Sequence, residues 1–134
     1  MRRGVWIVLT ILEMATIMYL SLRPEDSSLK SSVSWQAFHK FGHLVAYGTL
    51  TYFFLQSFFY FKENKSREQM KLLWTAFASA VFFGVLNEFL QSFVPSRSAR
   101  IQDVLVNAIG SGIMIFLVKK NSKFFSLVPR NKNY

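Results

Sequence analysis

The sequence predicts an all-α integral membrane bundle of four transmembrane helices with both termini in the cytoplasm, and three observations carry that reading. About half of the 134 residues are apolar, and they gather into runs too long for the core of a small soluble domain. The Lys and Arg residues sit in the gaps between those runs rather than as a stripe on one soluble face. Fifteen Phe and no Cys complete the composition, which excludes disulfides, thiolate metal sites and cysteine nucleophiles.

The first span is residues 4–22, "GVWIVLTILEMATIMYLSL". Arg2 and Arg3 before it resemble the start of a signal peptide, but Glu13 interrupts the apolar region and no small-residue cleavage pair precedes Arg23. It is therefore read as a retained helix. The second span is 42–61, "GHLVAYGTLTYFFLQSFFYF", and the third is 72–94, "LLWTAFASAVFFGVLNEFLQSFV". Each of these three reaches about 30 Å as a helix, the thickness of the hydrocarbon layer. The fourth, 101–118, "IQDVLVNAIGSGIMIFLV", is shorter and polar where it begins, so its neighbours must cover that end. Residues 1–118 form the membrane domain in this reading, and 119–134 a basic cytoplasmic tail lying against anionic lipid.

Alternate connections carry eleven basic residues against five. The positive-inside rule then places the termini and the 62–71 loop in the cytoplasm, and the 23–40 loop and the turn at Pro95 outside. Trp6 and Trp74 fall near the inner interface and Trp35 near the outer one. The protein is expected to be a multi-pass protein of the cell membrane, and the net charge of +9 is a topology signal rather than a nucleic-acid footprint.

This orientation collects the polar residues at the outer end. Residues three, four and seven apart share a helix face, which gives three stripes: Lys40, His43 and Tyr47; Gly84, Glu88 and Gln91; Asp103, Asn107 and Gly110. Arg97 and Arg100 lie in the connecting turn. Three polar stripes ending at one depth converge on one site, and spans two and four point their helix N-termini into it. The site leans positive, so its natural guest is an anion. Lys40, Tyr47, Gln91, Arg97, Asp103 and Asn107 are the candidate ligand-binding residues, with Arg97 able to grip a phosphate or carboxylate bidentately.

Glu88 and His43 are the candidate catalytic pair, because a carboxylate inside a membrane helix is costly unless compensated. Arg97, Lys40 or His43 is the expected partner of Glu88. Glu13, mid-span and without an evident partner, is a weaker candidate. The bland reading stands beside these. Gln91, Asn107 and the glycines also suit plain helix packing, Arg100 suits a topology charge, and Tyr47 suits an interface aromatic. No HExxH or similarly dense ligand motif is present, so no metal or other cofactor is expected.

In these residues the chain resembles the VanZ-like family of small membrane proteins. The resemblance is carried by Ser21 and Pro24 in "YLSLRP", Lys40, His43 and Tyr47 in "HKFGHLVAY", Glu88 and Gln91 in "NEFLQ", Pro95 and Arg97 in "VPSR", and Asp103, Asn107 and Gly110 in "DVLVNAIG". It covers nearly the whole chain, from about residue 5 to 118. One departure is His39, which stands where the family pattern has an acidic residue. The resemblance implies a role at the cell envelope, in resistance to teicoplanin-type glycopeptides or in the handling of cell-wall lipids. The expected partners are membrane lipids, a lipid-linked cell-wall intermediate or a lipoglycopeptide, and a further membrane protein; nucleic acid is not among them. Whether the chain turns a substrate over is left open. Binding and acid/base catalysis on a lipid-linked substrate are the two readings.

Overall fold

A computed structural model describes residues 3–24, 32–59, 66–95, 97 and 99–121. Its four helices are α1 (Arg3–Leu22), α2 (Val33–Phe59), α3 (Ser66–Gln91) and α4 (Ile101–Lys120), and no strand occurs among the described residues. The tail beyond residue 121, the 25–31 connection and residues 60–65 lie outside the described residues.

Three helical segments are long and apolar enough to cross a membrane: Gly4–Leu22, Gln69–Gln91 and Ile101–Lys120. The second helix has the length, at 27 residues, but its hydropathy is diluted by His39, Lys40, His43, Gln56 and several Thr and Tyr residues. Its position accounts for this. α2 packs against α1, α3 and α4, whereas α1 and α4 do not touch. A helix covered on three sides meets less lipid and tolerates more polar residues than its neighbours.

The boundaries differ from the sequence expectation where polar residues suggest a loop. α2 begins at Val33 rather than at 42, so Gln36, His39 and Lys40 belong to a helix and not to the outer connection. α3 ends at Gln91 and gives way to a chain of tight turns. Phe93 N–H donates to the Leu90 carbonyl, Val94 N–H to Gln91 and Arg97 N–H to Val94, with Pro95 preventing any continuation of the helix. α4 runs two residues past the expected end and closes with Lys119 and Lys120 in its last turn, where cations suit the negative end of the helix dipole.

The burial pattern is inverted relative to a water-soluble bundle. On α4 the buried residues are Asp103, Asn107, Gly110, Ser111 and Val118, while Ile101, Leu105, Ile109, Ile113 and Phe116 are exposed. α3 does the same, with Asn87, Glu88 and Gln91 inside and Phe82, Phe89 and Trp74 outside. Polar groups inside and large apolar ones outside fit a lipid solvent, in which the outer surface needs no polar atoms. Thr hydroxyls in the helices are satisfied locally: Thr10, Thr16, Thr49, Thr51 and Thr75 each donate to the carbonyl four residues back.

α1 and α2 run antiparallel, joined at one end by the Thr10–Ser57 hydroxyl pair at 3.0 Å and by Trp6 against Tyr52 and Phe53. α2 and α4 run parallel and approach at two glycines. A Cβ on Gly48 would come within 3.3 Å of the Gly110 carbonyl oxygen, and one on Gly110 would collide with the Leu44 carbonyl. Small residues are what allow two backbones to come this close. Trp6 and Trp74 fall toward one end of the bundle and Trp35 at the other, since each lies in the first turns of its helix and the helices alternate in direction.

Candidate functional site

Near the beginnings of α2 and α4 and the end of α3 the interior is polar. His43 is 7 % exposed, Glu88 3 %, Gln91 2 %, Asp103 5 %, and Tyr47, Asn87 and Asn107 are fully enclosed. The anticipated stripes therefore meet. His43 Nδ1 lies 2.9 Å from Asn107 Oδ1, which joins α2 to α4. An amide oxygen only accepts, so the His43 Nδ1–H is the donor in this bond. Gly84 on α3 lets these two helices close in, because a Cβ there would sit 3.1 Å from both the Asn107 amide nitrogen and the Tyr47 ring.

The structure divides the expected single site into two compartments. One is a cavity of about 520 Å³ lined by Ile17, Leu20, Ser21, Arg23 and Pro24 of α1 and its end, by the Trp35–His39–Gly42–His43–Ala46–Tyr47 side of α2 together with Phe38, and by Arg97. The other is the packed polar cluster behind it, where α3 and α4 contribute Glu88, Gln91, Asp103 and Asn107. His43 and Tyr47 belong to both: they line the cavity, their rings are nearly parallel at 6.1 Å, and His43 reaches Asn107 behind.

Of the expected partners of Glu88, which are Arg97, Lys40 or His43, neither Arg97 nor His43 hydrogen-bonds to it. Glu88 Oε2 instead accepts from the backbone N–H of Arg100, the N-cap residue of α4, at 3.1 Å. A carboxylate there complements the positive end of the α4 dipole and supplies the acceptor that the cap side chain does not. Arg97 is carried by the post-α3 turns over the end of α1. Its Nε donates to the Arg23 carbonyl at 3.0 Å and its Nη2 to the Leu20 carbonyl at 3.3 Å, while Nη1 lies 3.5 Å from His39 Nε2. These carbonyls at the end of α1 have no helical partner, so a guanidinium suits them in both charge and geometry. Five guanidinium N–H groups are available and the geometry engages three. Asp103, His43 and Arg97 remain close enough to Glu88 to act on it electrostatically.

Lys40 does not line the cavity. It precedes Leu44 by one turn, and Leu44 faces Gly110, so Lys40 belongs to the α4 side of α2. Glu13 is half-buried in the middle of α1 and also lies away from the cavity lining. The His39 ring lies 4.6 Å from that of His43, tilted by 47°, on the cavity side of α2, while both site carboxylates lie behind. Among the described residues no three His, Asp or Glu side chains converge as a metal would require.

Sequence reasoning missed Asn87, Arg23 and the two aromatics Trp35 and Phe38. Asn87 donates to Ser21 Oγ at 2.8 Å and ties α3 to α1. Its signal was present, because Asn87 follows Gly84 by three residues and precedes Gln91 by four, on the stripe already identified. Trp35 and Phe38 fall in a stretch whose polarity reads as a loop, which conceals their helical register with Gly42.

Four helices, a polar interior within an apolar exterior, and a cavity at one end define a small helical membrane protein. The sequence matches the VanZ/LLP1 family over residues 4–125, and the chain belongs to that family. No curated protein and no solved structure matches it.

Proposed function

We propose that this VanZ/LLP1-family protein binds an anionic group, phosphate or carboxylate, of a cell-envelope molecule in the α1/α2 cavity. One observation carries the reading: Arg97 and Arg23 both line the cavity, whereas Glu88 and Asp103 do not. Among its described lining residues there is no carboxylate, so its electrostatic potential is set by Arg97 and by Arg23, whose guanidinium lies 5.7 Å over the Tyr19 ring at the cavity's edge, and its polar contacts by Ser21, His39 and His43. The rest of the wall is apolar, with Ile17, Leu20, Trp35, Phe38 and Ala46, which favours an amphiphile over a free ion. A cavity of about 520 Å³ holds one headgroup or part of a chain, so a lipid-linked intermediate is a better occupant than an entire lipoglycopeptide. The envelope setting comes from the family. The placement as a multi-pass protein of the cell membrane, with the cavity facing outward, rests on the basic-residue asymmetry, and a link to teicoplanin-type resistance is the family's implication for the phenotype.

The geometry favours binding over acid/base catalysis. Glu88 and His43 share no hydrogen bond, and Glu88 faces the α4 N-terminus rather than the cavity. The test is extraction and mass spectrometry of lipids that co-purify with the parent and with Arg97→Gln. The parent should retain an anionic amphiphile that the variant loses. An identical lipid profile from both proteins at equal helicity would overturn the proposal.

A further inference from the structure

The cavity extends to the outer surface of the bundle. Among its lining residues, Leu20 and Phe38 are 54 % and 68 % exposed, and Gly42 is exposed as well. Leu20 is on α1 and the other two on α2, so this opening lies between those helices. α1 is the bundle's outermost helix: it does not touch α4, its Thr10–Ser57 pair and Trp6 ring contacts with α2 lie at the opposite end, and Ile17 packed among Tyr47, Leu50 and Phe83 closes the cavity's inner side. The opening is also set into the helices rather than above them. Leu20 lies within the Gly4–Leu22 span, and Gly42 lies nine residues into α2, about 13 Å from its start. Leu20 is two residues from the end of the Gly4–Leu22 span, so the opening sits at the rim of the membrane-crossing part, at the level of lipid headgroups.

Building on the anion-binding reading, we propose that the cavity's ligand is an anionic membrane lipid that reaches it sideways through the α1/α2 opening. Its phosphate meets Arg97 and Arg23, and its chain leaves the bundle past Leu20, Gly42 and Phe38. Charge complementarity selects the headgroup, for the described lining contains two arginines, Arg97 in the wall and Arg23 at the edge beside Tyr19, and no carboxylate. The apolar wall and the depth of the opening select a lipid over a soluble anion. Gly42 is the threshold: a Cβ added there meets no atom within 4 Å, so the absence of a side chain serves the opening and not helix packing. Gly48 and Gly110 differ, each being pressed against backbone.

Trp35 lines the cavity and reports on its contents. With Trp6→Phe and Trp74→Phe as background, the protein is reconstituted in phosphatidylcholine vesicles carrying either brominated phosphatidylglycerol or brominated phosphatidylcholine at equal mole fraction. The glycerol lipid should quench Trp35 preferentially. Arg97→Gln, which removes a charge-assisted contact, should weaken the preference about tenfold. Gly42→Phe should abolish it at unchanged helicity, while Gly42→Ala should preserve it. Equal quenching by the two lipids, or a preference that survives Gly42→Phe, overturns the lateral-lipid proposal. If lipids show no preference but inorganic phosphate alters Trp35 emission in an Arg97-dependent way, the lipid inference falls and the anion reading stands. If neither probe responds to Arg97→Gln, both fall.

Discussion

Arg97 performs two tasks with one planar group. Its Nε and Nη2 clamp the Arg23 and Leu20 carbonyls at the end of α1, and the guanidinium also forms part of the cavity wall. Lys preserves the charge but has a single nitrogen on a flexible stem, which cannot reproduce two divergent bonds in fixed geometry. Arg97→Lys is therefore expected to lose most ligand binding at equal expression, and lipid co-purification checks this. Full retention would mean that only the charge matters. Glu88 gives a complementary case. Gln keeps an oxygen acceptor for the Arg100 N–H, whereas Leu leaves that donor without its partner. Glu88→Leu should cost about 1–3 kcal/mol in thermal or denaturant unfolding in detergent, and Glu88→Gln much less. Because Glu88 does not line the cavity, Glu88→Gln should also leave lipid retention near the parental level. Complete loss of function with intact folding would instead favour the acid/base reading.

At the scale of the helix, the parallel α2/α4 contact holds the polar interior in register. Gly110 abuts the Leu44 carbonyl, and one turn closer to the cavity end the His43–Asn107 bond crosses the same interface. Gly110→Ala inserts a methyl group against backbone, which cannot rotate away, so the helices must separate. The expected cost is about 1–3 kcal/mol, together with weakening of the His43–Asn107 bond. Gly42→Ala places the same methyl group in open space and should be neutral or slightly stabilising through its higher helix propensity. Comparing the two unfolding midpoints tests the assignment; equal destabilisation would show that helix chemistry, not the close crossing, explains both.

At the scale of the molecule, the fold is a bundle with its polarity turned inward. Its orientation is open to a direct test because the chain has no Cys. Single cysteines at Ser32 and Ala99 should react with an impermeant maleimide on intact cells, and one at Asn121 should react only after permeabilisation. Labelling of Asn121→Cys without Ser32→Cys would invert the orientation and turn the cavity end toward the cytoplasm.

Composition and periodicity were enough to read four helices, because apolar runs of spanning length and basic residues in the gaps are local properties of the chain. The stripes Gly84–Glu88–Gln91 and Asp103–Asn107–Gly110 were legible for the same reason, since spacing along a helix assigns a face without knowledge of the neighbour. What a face meets is not local. The extension of α2 back to Val33 depended on helix packing that let His39 and Lys40 continue a helix despite their polarity. The partner of Glu88 depended on the path of the turns after Gln91, which place the Arg100 N–H beneath the carboxylate and send Arg97 across the bundle to α1. The cavity depended on α1 packing on α2 as far as Ile17, against Tyr47 and Leu50, and parting from it beyond, a matter of where side chains from distant segments fit. Residue type and spacing thus determined which groups this protein keeps in its interior. Tertiary packing decided which of them face one another and which face the cavity, because both distances and desolvation are set by residues far apart in the chain.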